Sequence, residues 1–335
     1  KGLAPIKLKY KEGLCLLNGS MSVCAYSALA IYDLINATKN LDISASITYE
    51  ALRGTIKAFD SRLHSVKKHK EQNDTAAEYR KLLEGSEIMD KFEDDNVQDA
   101  YPLRCTAHIH GAAKKIIKDA AEVINNEINS VSDNPVIYPN SDFSDGEGLM
   151  GGNFDGSYVS IYCDSACLGA CMLGKLADKR VDRLVTSNLS GFPSFLVKNP
   201  GLNNGYMIPQ YTISGLFSEI SNLSTPVSIQ SISTCARQEE PVSLAYLSGK
   251  KLCQIAKKLQ YISAIELMMS VQGIDFLKPL RPSKVNEKVY KLIRKEVPEL
   301  DKDRFYHNDI EYIYNLVKEG TLVELVEKEI EEIPF

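Results

Sequence analysis

Apolar positions recur at three- and four-residue intervals along most of the chain, and the two-residue alternation of strands is scarce. From Glu12 to Thr38 the chain is almost wholly apolar or small, with Gly19, Ser20, Ser22, Ala25, Ser27, Ala28 and Ala30 between larger residues. A segment apolar on most faces belongs deep in a bundle. From Lys114 to Val131, Ile116, Ile117, Ala120, Ala121, Ile124 and Ile128 mark one helical face. Ser132-Asp133-Asn134-Pro135 ends that helix, because Pro cannot continue it and disfavours helical geometry before it. Tyr138 to Leu149 is polar and turn-rich and reads as a loop. The helical spacing resumes over Ser157–Leu184, Gly205–Leu223 and Val242–Met269, the last through Leu244, Leu247, Leu252, Ile255, Leu259, Ile262 and Ile265. The pattern predicts an all-α chain built as one elongated bundle of long helices over 12–38, 114–131, 157–184, 205–223 and 242–269.

Charge changes the picture in two places. Between Ser61 and Lys91, the run Lys67, Lys68, His69, Lys70, Glu71 reads as a solvated face. After Gly273 the composition shifts again. Pro279-Leu280-Arg281-Pro282-Ser283 is a turn, and charged helices follow to Ile330. The expected division is a central bundle over 1–275 and surface helices over 276–335. An apolar fraction of 44%, a charged fraction of 25% and a net charge of -5 describe an ordinary globular chain and argue against a nucleic-acid-binding face. No apolar run approaches a membrane span. The residues from Lys1 to Pro5 lack the apolar stretch of a signal peptide, and they lack Met, so the natural protein is expected to start earlier.

Cysteine adds little chemistry. The eight cysteines have neither disulfide-framework nor zinc-finger spacing and suit a reducing cytoplasm. Cys163, Cys167 and Cys171 form one helical stripe, read as a buried seam. No His or fourth Cys is placed to complete a metal site there. His108 and His110, two apart on a helix, point apart and do not chelate. No glycine-rich nucleotide loop and no His-Glu-x-x-His occurs.

Candidate chemistry sits in four other places. Gln98, Tyr101 and Arg104 are spaced by three, and Pro102 fits a first helical position. That puts Arg104 in a first turn, with Gln98 and Tyr101 at its mouth. A guanidinium there can grip a carboxylate through two parallel hydrogen bonds, although capping and surface pairing also place Arg at helix starts. Gly151-Gly152-Asn153-Phe154-Asp155-Gly156 precedes a long helix. It reads as a tight connection, or as a close backbone approach with Phe154 in a pocket wall. Asn18 is a lone amide in an apolar helical run, and a buried amide must find partners. Glu239 and Glu240 stand before Pro241 and favour a helix N-terminus.

Taken in order, Leu16-Leu17-Asn18-Gly19, the run from Gln98 to Cys105, Ser132 to Pro135, Gly151 to Gly156, Gly201 to Gln210 and Gln238 to Ser243 resemble the aromatic amino-acid ammonia-lyase family. The likeness covers essentially the whole chain and is greatest to the histidine ammonia-lyases. It implies the helical bundle shared with fumarase-like lyases. It also implies that Arg104 binds the substrate carboxylate, that Tyr101 and Gln98 line the site, and that Phe154 forms its wall. Asn18 would point at an electrophilic ring. Glu239 would hold an imidazole and accept a proton, since relatives acting on phenylalanine or tyrosine usually carry Gln there. Three residues depart from the family pattern: Pro102 where Ser is usual, Asp155 where His or Leu is common, and Pro241 where His is found.

The family's electrophile is a methylidene-imidazolone ring cyclised from an Ala-Ser-Gly upstream of Leu-Leu-Asn-Gly. The pairs Ser190-Gly191, Ser214-Gly215 and Ser248-Gly249 each follow Leu or Ile, so none supplies it. The family's loop tyrosine also lies upstream. The expectation is the C-terminal two-thirds of an ammonia-lyase, turning L-histidine into trans-urocanate and ammonia only together with a further N-terminal portion. An aromatic 2,3-aminomutase or a phenylalanine or tyrosine ammonia-lyase is the variant within this class. A non-catalytic helical homo-oligomer is the alternative outside it. The fumarase and aspartase group is disfavoured, since its Gly-Ser-Ser loop is absent. The resemblance implies a homotetramer with shared active sites, in which Tyr101 and Arg104 serve a different pocket from Asn18 of the same chain. Residues 12–38 and the cysteine stripe are expected at subunit contacts.

Overall fold

The computed structural model describes residues 2–335. Its long elements are α1 Met21–Ala51, α2 Lys70–Leu82, the single turn α3 Tyr101–Arg104, α4 Thr106–Ile128, α5 Ser157–Val185, α6 Met207–Leu223 and α7 Ala245–Asp275. Three shorter helices follow: α8 Lys284–Arg294, α9 His307–Lys318 and α10 Thr321–Ile330. The elongated all-helical bundle is as the periodicity predicts. Among the described residues, the one sheet is the hairpin of β1 Val136–Pro139 and β2 Gly146–Leu149, where a loop was expected.

Helices α1, α5 and α7 run parallel. Gly249 near the start of α7 lies against Val23 and Ser27 of α1, and a Cβ there would come within 2.9 Å of Val23 Cγ2. Glycine is what lets the two helices approach so closely. At the far ends Gly273 lies against Ala51 of α1 and Leu184 of α5. Ser27 Oγ and Cys163 Sγ are 3.1 Å apart, which sets the register of α5. Helix α4 runs the other way: Glu127 near its end accepts from Ser20 Oγ at 2.5 Å, and His110 near its start meets Asp42. Helix α6 is also antiparallel to α5, with Ser214 on Asp178 at 2.7 Å and Ser224 on the Cys167 carbonyl at 3.0 Å.

The element ends differ from the periodicity for physical reasons. The first helix starts at Met21, not Glu12. Only Glu12–Cys15 forms a turn ahead of it, and Gly19 at φ 79° breaks the run. It continues past Thr38 to Ala51 through Asn40, Asp42, Ser44, Ser46, Thr48 and Glu50, all buried. Similarly, α4 begins at Thr106 rather than Lys114 and takes in the buried His110. Lys67 to Lys70 do face water, but Gln72, Thr75, Glu78 and Tyr79 of α2 are buried against α4. Helix α5 is long and apolar enough to cross a membrane by composition, contrary to the sequence reading, yet 61% of its apolar window is packed inside the bundle.

A buried charge cluster fills the bundle centre. His110 Nδ1 lies 2.6 Å from Asp42, and Lys114 Nζ reaches Asp42 at 2.9 Å and Glu78 at 2.8 Å. Arg180 of α5 forks onto Glu266 of α7 at 2.5 and 2.9 Å, and Ser44 and Thr48 donate to the same carboxylate. Burial pushes the Glu78 carboxyl above its usual range, and the Asp42 charge adds to it. Burial also lowers His110, against the pull of Asp42. Burial alone would raise Asp42, but Lys114 and His110 outweigh it and hold it low. Two ion pairs anchor the cluster, Asp42 with Lys114 and Glu266 with Arg180.

Helices α8 to α10 clasp the outer face of α1. Asn36 donates to the Val317 carbonyl at 2.7 Å, Lys39 pairs with Glu327 at 2.8 Å, and Ser46 donates to Asn286 at 2.9 Å. Val285, Val289 and Ile293 form the buried stripe of α8.

Candidate functional site

The bundle has two ends with different chemistry. At the end where α1 and α5 stop and α4 starts stand Gln98, Tyr101 and Arg104. Asp99, buried beside them, accepts from Tyr49 Oη at 2.9 Å and from the Thr55 amide at 2.8 Å. This bolts the segment ahead of α3 to the end of α1. Gln98 is exposed on the rim of a cleft of about 280 Å³ with Arg53, Leu103 and Arg183 in its walls. Tyr101, 68% exposed, is the first residue of α3 and Pro102 the second, because Ala100 is extended at φ −65° and ψ 156° and acts as the cap. Arg104 is half-buried, its guanidinium carbon 4.7 Å from the Tyr101 ring centroid. Its Nε is buried without a partner, and among the described residues no carboxylate pairs with it. A partly desolvated cation without an anion is costly. A ligand carboxylate would relieve that cost.

At the other end α1, α5 and α7 start and α4 stops. Here Asn18 is exposed in a bend ahead of α1, not inside a helix as expected. Its carboxamide makes no hydrogen bond among the described residues. The cause is Gly19: a Cβ on it would lie 1.9 Å from the Ser132 carbonyl oxygen. Only glycine lets this bend dock on the Ser132 turn. Lys11 pairs with Asp133 at 3.0 Å and the Cys15 thiol donates to Asp133 at 3.2 Å. The Asn134 amide, that thiol and Lys11 together hold the Asp133 carboxyl below its usual range. Two motifs far apart in sequence thus meet in one docking contact.

Phe154 is half-exposed at the mouth of α5. Asp155 Oδ1 accepts from the Ser157 amide at 3.0 Å, which closes the turn around Gly156 ahead of that helix. Gly156 lies against Ala245 and Ser243, which brings the starts of α5 and α7 together. Glu239 is not at a helix N-terminus, since α7 begins only at Ala245. It sits, exposed, in a turn whose backbone pairs Thr234 with Glu239. Glu239 Oε2 accepts from Thr234 Oγ1 at 2.9 Å, and the Cys235 thiol lies beside the same carboxylate. The loop over 224–244 that carries it is rooted on Asp164 of α5 and Lys251 of α7.

The structure therefore gathers Asn18, Phe154 and Glu239 at one end, and Gln98, Tyr101 and Arg104 at the other. Helix α4 spans the gap. At 1.5 Å per residue it is about 35 Å long, so one copy of the chain cannot close these groups around one small molecule. Sequence reasoning missed Asp99 and Thr234. Asp99 lies within a run of interest, but its role needs Tyr49 and Thr55. Thr234 sits in an unpatterned polar stretch.

Comparison with known proteins agrees with the helical fold. The family model described as aromatic amino acid lyase matches residues 1–295. The chain is 41% identical over 330 residues to a histidine ammonia-lyase of Alkaliphilus oremlandii, covering 98% of this chain and 64% of that protein. The crystal structure of histidine ammonia-lyase from Trypanosoma cruzi superposes with a TM-score of 0.90 at 34% identity, covering 98% of this chain and 62% of that one. A tyrosine aminomutase from Streptomyces globisporus gives a TM-score of 0.90 at 27% identity, covering 98% and 66%. The chain spans just under two thirds of these relatives.

Proposed function

The chain belongs to the aromatic amino acid lyase family, and from that premise we propose that it carries the substrate-binding part of a histidine ammonia-lyase. The observation that carries the reading is the free, half-buried guanidinium of Arg104 stacked on Tyr101, matched at the opposite end by the exposed carboxylate of Glu239. Arg104 takes the substrate carboxylate in a fork, and Tyr101 and Gln98 border it. Glu239 Oε1 accepts the imidazole N–H and is placed to take up a proton. Phe154 closes the apolar side. The reaction is loss of ammonia from L-histidine to give trans-urocanate.

The family's methylidene-imidazolone group supplies, when bound, an electrophile that makes the amino group a better leaving group. The Ala-Ser-Gly from which it forms does not occur in these residues. The unpartnered Asn18 carboxamide fits it, as a donor for a ring carbonyl oxygen. On this reading the chain alone binds histidine and releases no ammonia. We propose a homotetramer as the assembly that unites the two ends. Its support is the uncovered apolar faces, Tyr26, Leu29 and Tyr32 on α1 and Tyr158, Ile161, Leu168 and Met172 on α5. Cys163 and Cys167 take no part in such contacts, because they are buried within the chain itself. The free thiols suit the cytoplasm we propose for the protein.

Calorimetric titration with histidine and phenylalanine tests the proposal. Arg104→Ala is expected to weaken both ligands by roughly ten- to a hundredfold, the usual loss for a charged hydrogen-bond partner. Glu239→Gln is expected to weaken histidine alone. Equal loss of both ligands in Glu239→Gln would remove the imidazole assignment, and unchanged binding in Arg104→Ala would remove the carboxylate clamp.

A further inference from the structure

The loop over 224–244 is long for a connection without regular structure, and loops of that length in compact domains are usually functional. It is cross-braced at three levels. At its root, Asp164 Oδ2 accepts the amides of Val227 and Ser228 at 2.9 and 2.8 Å. Lys251 Nζ meets Asp164 Oδ1 at 2.5 Å and donates to the Thr225 carbonyl at 2.6 Å. Both side chains are more than nine-tenths buried, at 4% and 8% exposure. Halfway out, Ser231 Oγ accepts from the Val242 amide at 2.9 Å and lies 3.2 Å from the Val242 carbonyl. At the tip, Thr234 pairs with Glu239 through the backbone in both directions, and its hydroxyl donates to the Glu239 carboxylate at 2.9 Å.

The tip is also strained. Cys235, Ala236 and Arg237 all have left-handed backbones, with φ of 47°, 54° and 69°. Such residues are strained and persist where the surroundings over-determine them. Here the braces do so, and what they fix is the carboxylate of an exposed glutamate. An unbraced Glu would sample many rotamers, and each rotamer frozen on binding would weaken the complex.

We propose that Thr234 is a positioning residue for Glu239: its hydroxyl holds one carboxylate oxygen so that the other is presented, pre-aimed, to the imidazole of the substrate. The inference rests on the reading of Glu239 given above and adds to it the group that sets its direction. The braces at Asp164, Lys251 and Ser231 act through Thr234, by fixing the backbone of the tip.

The chain carries its own reporter. The exposed Cys235 thiol lies beside Glu239, and hydrogen bonding to that carboxylate raises it above the ordinary thiol value. Glu239→Gln is therefore expected to shift the pH dependence of Cys235 alkylation, read by peptide mass spectrometry on the full chain without any ligand, to lower pH. Thr234 itself hydrogen-bonds the thiol and lowers it, so the Thr234 variants are read by binding. Thr234→Val is expected to weaken histidine binding roughly five- to tenfold while leaving phenylalanine unchanged. Thr234→Ser keeps the hydroxyl and is expected to restore histidine binding. A Thr234→Val chain with wild-type histidine affinity overturns the inference while Glu239 keeps its role. A Glu239→Gln chain that binds histidine as tightly as wild type overturns the underlying reading instead, whatever Thr234 does. Because the thiol readout needs no ligand, a failure to fold is seen directly as exposure of the buried Cys163 and Cys167.

Discussion

Glu50 shows how much a single residue can depend on partners far away in sequence. It is wholly buried, accepts from the Ser283 amide at 2.7 Å and from Asn286 Nδ2 at 2.8 Å, and has no cation beside it. Burial pushes its carboxyl up to about 7, from 4.5 in the open chain. The folded chain thus holds the proton more tightly than the unfolded chain. Stability from this group is complete below the unfolded value and is lost as pH rises through the folded one. The loss is on the order of 3 kcal/mol. Glu50→Gln cannot titrate, so its urea-unfolding stability is expected to gain on wild type between about pH 5 and pH 8. Parallel pH curves for the two proteins would show that Glu50 stays charged. Nothing near Glu50 in sequence announces this role, because its partners sit more than two hundred residues away. Arg104 and Glu239 stood out for the opposite reason: their neighbours form recognisable runs, and the contacts of both side chains, Tyr101 and Thr234, are local in sequence.

Among elements, the interiors of the long helices and both ends of α5 and α6 were legible, while the ends of α1, the start of α4 and the end of α7 were not. Apolar periodicity located α4, α5, α6 and α7, since one packed face is written every three to four residues. It failed where polar residues are buried. The second half of α1 is buried yet rich in Ser, Thr, Asn, Asp and Glu, because it faces the charged side chains of α2, α4, α5 and α7. That polar core makes a prediction about α5. Arg180 is fully buried and forked onto Glu266. Arg180→Ala leaves a buried carboxylate unpaired and is expected to cost about 3–5 kcal/mol in urea unfolding. Replacing Arg180 and Glu266 together by Met is expected to recover most of that loss, because the desolvation of both charges disappears with them. A single-variant loss under about 1 kcal/mol would mean that water reaches the pair.

At the scale of the whole molecule, the decisive fact is that α1, α5 and α7 are parallel. Their common direction sends every residue that precedes them to one end and the start of α4 to the other. The resemblance implied that Tyr101 and Arg104 serve a different pocket from Asn18. The fold supplies a physical reason, a gap of about 35 Å bridged by a rigid helix. If sites form between copies, two defective chains must rescue one another. An Arg104→Ala chain and a Glu239→Gln chain each lack one half of the proposed histidine grip. Unfolded together, mixed in equal amounts and refolded, they are expected to form some sites with Arg104 from one chain and Glu239 from the other. Random assortment makes about a quarter of sites complete, since each intact half arrives with a chance of one in two. Calorimetry should then report tight histidine binding at about a quarter of the wild-type stoichiometry, while each variant refolded alone shows none. Mixtures that never exceed the separate variants would place both residues in one chain's own pocket. That result contradicts the distance, and it would require the bundle to rearrange.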